Sequence, residues 1–560
     1  MIGINQWAGY KMILDYITKI LEDAIKENGI KISFPIQVEL SEEGKFGDIT
    51  SNVALVNAKL LNKKPIDFAN QILKKLNYDR NIISRVEVAG PGFINFHLSD
   101  NLIKQNIYDI LASGNNYGKT SLFKDKRANV EWVSANPTGP LHAGHGRQVA
   151  LGKAIVNLLQ AIGYQVEKEY YYNDAGSQMK NLANSVYARY MQIFDEHFSF
   201  PADGYFGEYI SQIAQQIYRQ YKDTYVNNFD LEFFKSFAEQ YNFSSIKRTL
   251  EKLGIEFERY FSETSLYKSG EIEELLKYYR ENGFSYEKDG AIWLKMEGDD
   301  FKADKVIVKQ SGEPTYRLPD IAYHINKIKR GYDLIVDIFG SDHSDTYKEV
   351  LYGVTRAGYD VSHIKVIIHQ MVTFRKGEKT VKLSKRSGES FTLDELIEEI
   401  GTDATQFFFV MRAPSTHLDF DIELAKQTSE KNPVFYLQYA HARICGIIRN
   451  AVDFSSDLTP KTLELTPLQL LKNDDEKQLM KILFFYPYEV YKSAMDFEPH
   501  KIISYLNLVA ENFHRFYHNN RVLDSENIEL SRERLLLSLA TKIVLNNGLN
   551  IIGVTAPERM

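Results

Sequence analysis

The sequence predicts an α/β chain: a parallel sheet interrupted by an insertion, preceded by a small α+β domain and followed by an all-α helical bundle. Three observations carry this. Strand-like apolar runs at Ala128–Ser134, Asp333–Phe339 and Ile364–His369 end in glycine or polar loops, and the first leads into a strong helical pattern. Almost 200 residues separate the first two runs, which points to one sheet split by an insertion at roughly 185–310. From Asn432 onward the periodicity is helical nearly throughout. The length of 560 residues allows three or four domains at about 150 residues each.

In the first 112 residues, Ile13, Ile17, Ile20, Leu21 and Ala24 share one helical face, and Gly29 stops that helix. Further helices are expected around Ile49–Leu61 and Pro65–Leu76, the latter with proline in its first turn. Alternation in Arg85–Ala89, the break Gly90-Pro91-Gly92 and the run Phe93–Phe96 read as two strands joined by a turn. Ser113–Gly118 reads as a linker, and residues 120–430 as the split Rossmann-like sheet domain. Within it, Leu151, Ile155, Leu158, Leu159 and Ile162 form a helix closed by Gly163. Residues 431–560 form the bundle, with helices near 475–495, 499–521 and 531–547 after a first stripe through Leu437, Ala440, Ile444 and Ile447.

With 44% hydrophobic and 25% charged residues there is material for several cores, so wholesale disorder is excluded. The single cysteine, Cys445, excludes an internal disulfide and any zinc site needing two thiolates. A soluble, cytoplasmic protein without a membrane span is expected, since no run approaches about 18 uninterrupted apolar residues. The net charge of −7 gives no global sign of a polyanionic partner, so any nucleic acid has to meet local basic patches.

Two motifs carry chemistry. His142-Ala-Gly-His145 stands where a strand-loop turns into a helix, whose N-terminus offers unpaired N–H groups and a positive dipole end to phosphate. Two imidazoles one turn apart can donate to the same oxyanion, and Gly144 leaves room for a base or ribose. Alone, the tetrapeptide also fits a pair of helix-capping histidines. From Lys365 to Arg386 there are seven basic residues and one acid, a net of +6, ending in Lys382-Leu-Ser-Lys385. Glycines at 377 and 388 would let that stretch act as a flap over a polyphosphate, although a solvated basic loop explains it as well.

His142–His145 and Lys382–Lys385 resemble the HIGH and KMSKS motifs of class I aminoacyl-tRNA synthetases. More narrowly, the chain resembles the arginyl-tRNA synthetase family in Val130–His145 (VEWVSANPTGPLHAGH), Tyr316–Asp320 (YRLPD), Gly340–His343 (GSDH), Asn432–Arg443 (NPVFYLQYAHAR) and the closing Ala556–Met560 (APERM). The resemblance covers essentially the whole chain. It implies an arginine–tRNA ligase that activates L-arginine with ATP, brought as its Mg²⁺ complex, and passes the arginyl group to the terminal ribose of tRNA(Arg). A monomer is the family default.

By that resemblance His142 and His145 meet the phosphates and ribose of ATP, with Gly144, Gly340, Asp342, His343 and Ser384 at the nucleotide and Lys382 and Lys385 at the departing pyrophosphate. A planar guanidinium with five donors calls for carboxylates. The resemblance assigns Tyr316 and Asp320 to that side and Glu131 and Asn136 to the substrate's amino group, while the residues alone leave open that an internal arginine such as Arg317 pairs with the two acids. Phe93 and Asn95 are implied at the tRNA elbow, and Tyr436, Tyr439 and Arg443 at the anticodon; strand core or bundle packing would account for the aromatics too. No metal-binding side chains are expected, the Mg²⁺ being held by phosphate and water. Two positions depart from the family pattern: Leu383 replaces the usual methionine, and Gln406 stands where arginine is expected, so no role is carried onto it. The paired acids argue against a synthetase for an apolar amino acid, and a silent tRNA-binding paralogue would have lost one of the motifs.

Overall fold

β-branched and apolar side chains on both faces of a strand demand cover on both sides, which is how the middle of this chain is built. The computed structural model describes residues 6–41, 47–174, 177–298, 301, 303–377, 379–381, 391–455, 458 and 467–560. The N-terminal part holds α1 (Gln6–Glu27), β1 (Val38–Leu40), β2 (Ile49–Ser51), α2 (Val53–Ala58), α3 (Pro65–Leu73), β3 (Ile83–Ala89), β4 (Phe93–Leu98) and α4 (Asp100–Ser113). Its four strands form one antiparallel sheet in the order β1-β2-β4-β3. The helix expected from Ile49 is corrected here: β-branched Ile49 and Thr50 pair with β4, and the helix starts only at Val53.

The central sheet comprises β5 (Arg127–Glu131), β6 (Gln165–Tyr172), β7 (Arg259–Ser262), β11 (Leu334–Gly340) and β12 (Ile364–His369), all parallel, in the order β12-β11-β5-β6-β7. The chain leaves β5 through α5 (Gly146–Ala161) to β6 on one side, whereas β11 lies on the other. The carboxyl ends of β5 and β11 therefore flank a topological switch point, where open α/β sheets bind ligands.

The expected insertion at 185–310 is not one excursion, because β7 lies inside it and pairs with β6. One excursion carries α6 (Ser177–Met191), α7 (Glu208–Tyr221) and α8 (Leu231–Lys252), with an aromatic-rich core of its own. The other carries α9 (Glu263–Lys268), α10 (Glu271–Glu281) and the antiparallel strands β8 (Ser285–Lys288), β9 (Ala291–Leu294) and β10 (Lys305–Val308) before α11 (Arg317–Lys329). Beyond β11, α12 (Thr346–Arg356) leads to β12.

The basic stretch after β12 is partly strand: β13 (Val372–Lys376) pairs with β14 (Lys379–Val381) and with β15 (Leu418–Asp421). α13 (Leu393–Ile400), α14 (Thr402–Val410) and α15 (Ile422–Lys426) surround them. The bundle contains α16 (Pro433–Phe454), α17 (Asp474–Phe484), α18 (Tyr486–Met495), α19 (His500–Asn519) and α20 (Ile528–Ile551). The single helix expected over 475–495 is two, with Pro487 in the first turn of the second. A continuous apolar core joins Phe96, Trp132, Leu158, Phe409, Leu437 and Phe513, so all three parts pack together. Among the described residues, no helix is long and apolar enough to cross a membrane.

Candidate active site

A cleft of about 1040 Å³ opens at the switch point and gathers Glu131, Asn136, His142, Gly144, His145, Tyr316, Asp320, Gly340, Asp342 and His343 from segments far apart in sequence. Its acidic end is set by the way β5 stops. The strand expected through Ser134 ends at Glu131, and Val133 and Ser134 take left-handed backbone angles, φ 69° and 40°. Such angles are costly for a β-branched residue and persist only where the surroundings enforce them. Here the Trp132 indole is buried against α5, where a Cβ at Gly152 would sit 2.1 Å from it, and the Ser134 hydroxyl is used twice. It donates to Glu131 Oε1 (2.9 Å) and accepts from the Tyr171 N–H (3.0 Å). Glu131 Oε2 accepts from the buried Lys327 ammonium at 2.5 Å.

Asp320 stands in the first turn of α11, just past Tyr316. Among the described residues none donates a hydrogen bond to its carboxylate, which faces the cleft with protein packed behind it. Burial pushes its pKa up to about 7; the His324 and Lys327 cations oppose the rise, and the Glu131 and Glu263 carboxylates reinforce it. Glu263 follows directly on β7, accepts from the Tyr171 hydroxyl (2.9 Å), and is likewise pushed up by burial. Arg317 is not the partner of either acid: it pairs with Glu349 at 2.5 Å and its guanidinium lies over the Tyr316 ring. Asn136 Nδ2 donates to Gln178 Oε1 (2.8 Å) on the opposite wall. This end is an electronegative socket open to a cationic ligand.

At the other end the His142 and His145 rings stack, centroids 3.6 Å apart and 19° from parallel. The His142 N–H donates to His145 Nδ1 (3.2 Å), which leaves the His145 proton on Nε2. Ala143 N–H donates to Phe391 O (2.9 Å) and Leu393 N–H to Leu141 O (2.8 Å), so the histidine loop is stitched to the segment that follows the basic motif. Lys382, Leu383, Ser384 and Lys385 themselves lie outside the described residues. Behind the loop, the buried Arg147 guanidinium donates to Gln370 O (2.8 Å) and Ala413 O (2.9 Å), and burial lowers its pKa to about 10. A Cβ at Gly146 would lie 2.2 Å from the Phe409 ring, so α5 begins in contact with α14. Facing the histidines, β11 ends at Gly340, and His343 stacks on Phe339 (5.3 Å) beside Asp342. His369 also lines this end, its pKa lowered by burial.

Tyr171, Glu263, His324 and His369 line the cleft without having been expected there. Glu263 was within reach of the sequence: had Arg259–Ser262 been read as a strand, the acid at its carboxyl end would have fallen at the ligand edge of the sheet.

The remaining expected residues lie elsewhere. Phe93 is exposed on β4, as an RNA-stacking residue needs to be. Asn95 is corrected: it is buried and its Oδ1 accepts from the Thr50 hydroxyl (2.7 Å), because its face of the sheet, exposed at Phe93, is covered here by the segment at Gly47. Tyr436, Tyr439 and Arg443 form one cluster along α16 and α19: Arg443 donates to the Tyr439 hydroxyl (2.9 Å), contacts His514 Nδ1 (3.0 Å) and covers the Tyr439 ring, while Tyr436 packs on His514. Gln406 is structural, its amide donating to Ala150 O and Ile552 O, both 2.9 Å.

Three family models match the chain: "Arginyl tRNA synthetase N terminal domain" over residues 13–98, "tRNA synthetases class I (R), catalytic domain" over 106–411, and "DALR anticodon binding domain" over 437–560. The arginine–tRNA ligase of Pelodictyon phaeoclathratiforme is 44% identical across 98% of this chain and 100% of its own length. That of Salinibacter ruber is 44% identical across 94% and 96%. Among solved structures, a putative arginyl-tRNA synthetase from Campylobacter jejuni superposes with a TM-score of 0.76 at 30% identity, over 83% of this chain and 100% of its own.

Proposed function

Given that the chain belongs to the arginyl-tRNA synthetase family and joins arginine to tRNA at the cost of ATP, we propose that its cleft divides the work between two ends. The socket of Glu131, Asn136, Tyr316 and Asp320 holds the guanidinium and ammonium groups of arginine. His142, Gly144, His145, Gly340, Asp342 and His343 hold ATP, which enters with Mg²⁺ as the substrate complex. The observation that carries this reading is one cleft with the Asp320 carboxylate, bonded to no donor among the described residues, at one end and two stacked imidazoles at a helix start at the other.

The arginine carboxylate is ionised at neutral pH, so its attack on the α-phosphate calls for no general base. What the protein supplies is alignment and charge stabilisation. Arginine anchored by its two cations presents its carboxylate toward the histidine end. There the His145 imidazole and the positive dipole end of α5 face developing negative charge on the phosphates. Lys382 and Lys385 neutralise the leaving pyrophosphate and Ser384 hydrogen-bonds the nucleotide; that Phe391–Leu393, the next described residues along the chain, pair with the histidine loop supports this reading. In the second step the terminal ribose hydroxyl of tRNA attacks the arginyl carbonyl and AMP departs. Phe93 stacks on an unpaired base of tRNA, and the Tyr436–Tyr439–Arg443 cluster meets the anticodon.

ATP–pyrophosphate exchange with each amino acid, in the presence of tRNA, tests the reading. Arginine alone is expected to support exchange. Exchange with lysine or an apolar amino acid in its place overturns the assignment of the acidic end.

A further inference from the structure

The two arginine-binding acids are held from behind by Lys327 and Asp337, which lie outside the cleft lining, and by His324, which reaches its edge. Asp337, midway along β11, is fully buried, as is Lys327 on the inner face of α11, and neither lines the cleft. Asp337 Oδ1 accepts from Lys327 Nζ at 2.5 Å, and the same ammonium donates to Glu131 Oε2 at 2.5 Å. Asp337 Oδ2 lies 3.2 Å from His324 Nε2, while His324 Nδ1 lies 2.7 Å from the Asp320 carbonyl oxygen. A carbonyl and an ionised carboxylate both offer only lone pairs, so both ring nitrogens carry hydrogen and His324 is an imidazolium. Burial opposes that charge, but the bond to Asp337 outweighs it and raises the His324 pKa. The same two cations hold Asp337 well below the usual carboxylate range against its own burial. Glu131, Asp337, Lys327 and His324 thus balance to zero, the condition under which buried ions are tolerated. Asp320 stands outside that balance and faces the ligand.

We infer that Asp337 is a positioning residue for the amino-acid end of the cleft: through Lys327 it fixes the carboxylate of Glu131, and through His324 the turn of α11 that carries Asp320. The inference rests on Glu131 and Asp320 being the acids that receive arginine. Removing the Asp337 charge leaves two cations sharing the single negative charge of Glu131, a net of one uncompensated positive charge. The Lys327 ammonium then withdraws toward Glu131 alone, and His324 loses the bond that keeps both its protons. Both acids shift relative to each other, while the histidine end of the cleft, built on α5 and Phe391–Leu393, is untouched. The expected signature is a loss specific to arginine.

The test is tRNA-dependent ATP–pyrophosphate exchange on the full chain, with KM measured separately for arginine and ATP. Asp337→Asn, Lys327→Met and His324→Gln are compared with Glu131→Gln and Asp320→Asn. Asp337→Asn and His324→Gln are expected to raise the arginine KM about tenfold or more while the ATP KM stays within about twofold. Lys327→Met added to Glu131→Gln is expected to cost little beyond Glu131→Gln alone, since Lys327 acts through that carboxylate. The inference is overturned if Glu131→Gln raises the arginine KM and the Asp337 and His324 variants do not, or if those variants raise both KM values alike. Unchanged arginine KM in Glu131→Gln and Asp320→Asn instead overturns the assignment of the acids themselves. Should Asp337→Asn fail to fold, His324→Gln keeps the acids' charges in place and decides the same question.

Discussion

At the end of the cleft proposed for arginine, the Glu131 carboxylate is locked by a fully buried ammonium and a strained strand end; at the end proposed for ATP, two stacked imidazoles are held by backbone pairing to Phe391–Leu393. The first construction fixes charge in place and suits discrimination among amino acids. The second leaves polar edges facing a cleft whose ligand changes from triphosphate to adenylate during the reaction, and suits charge that moves. Specificity and rate are thereby assigned to different ends, and substitutions at each should separate them.

The largest effect is expected at Asp320. Asp320→Asn removes an unpaired acid from the floor of the socket, and kcat/KM for arginine should fall by about 10²–10³, the usual result of losing one partner of a buried charge pair. The same change is expected to stabilise the fold in alkali. A carboxyl whose folded pKa is raised binds its proton more tightly in the native state than in the unfolded chain, so stability is lost as pH rises from the ordinary carboxylate value towards about 7. The Tm of Asp320→Asn relative to the parent should therefore be higher at pH 8 than at pH 4; an equal difference at both would contradict the burial of that charge. His145→Ala should lower kcat by about 10²–10³ with the arginine KM unchanged, read by single-turnover adenylate formation. A raised arginine KM there would erase the distinction between the two ends.

How much of this was legible in the sequence follows the same division. The histidine loop, the glycines beside it and the carboxyl ends of β5 and β11 were readable because a strand running into glycine and then into a helix is a local pattern. Asp320 and Tyr316 were readable only through resemblance, since nothing local distinguishes them from residues paired to Arg317. The Lys327–Asp337–His324 ions were not legible at all: lysine, aspartate and histidine in an amphipathic helix and an apolar strand read as ordinary solvated or isolated charges, and only the packing of α11 on β11 joins them. β7 escaped because four residues bounded by helices carry too little periodicity, and Asn95 was misplaced because it shares a strand face with the exposed Phe93 and nothing local shows that the Gly47 segment covers that face at its middle.

Intermediate effects bear on pH. With Asp320 near 7 in the free cleft, the arginine KM should rise between pH 8 and pH 6, by up to about tenfold, while kcat for bound substrate stays level. In Asp320→Asn that dependence should vanish. Smaller still, Arg443→Ala and Phe93→Ala are each expected to raise the KM for tRNA by up to about tenfold without altering the KM for arginine. Gln406→Leu should leave both ends of the cleft unchanged and lower stability by on the order of 1–3 kcal/mol, through the loss of two buried hydrogen bonds, as thermal unfolding would show.

The most direct measurement is the proton balance of arginine binding, obtained by titration calorimetry at pH 7 in buffers of different ionisation enthalpy. A socket whose floor is Asp320 should release about half a proton per arginine bound at that pH, and Asp320→Asn should release none. Arginine binding with no proton release in the parent chain, or with the same release in Asp320→Asn, would contradict the acidic end as described.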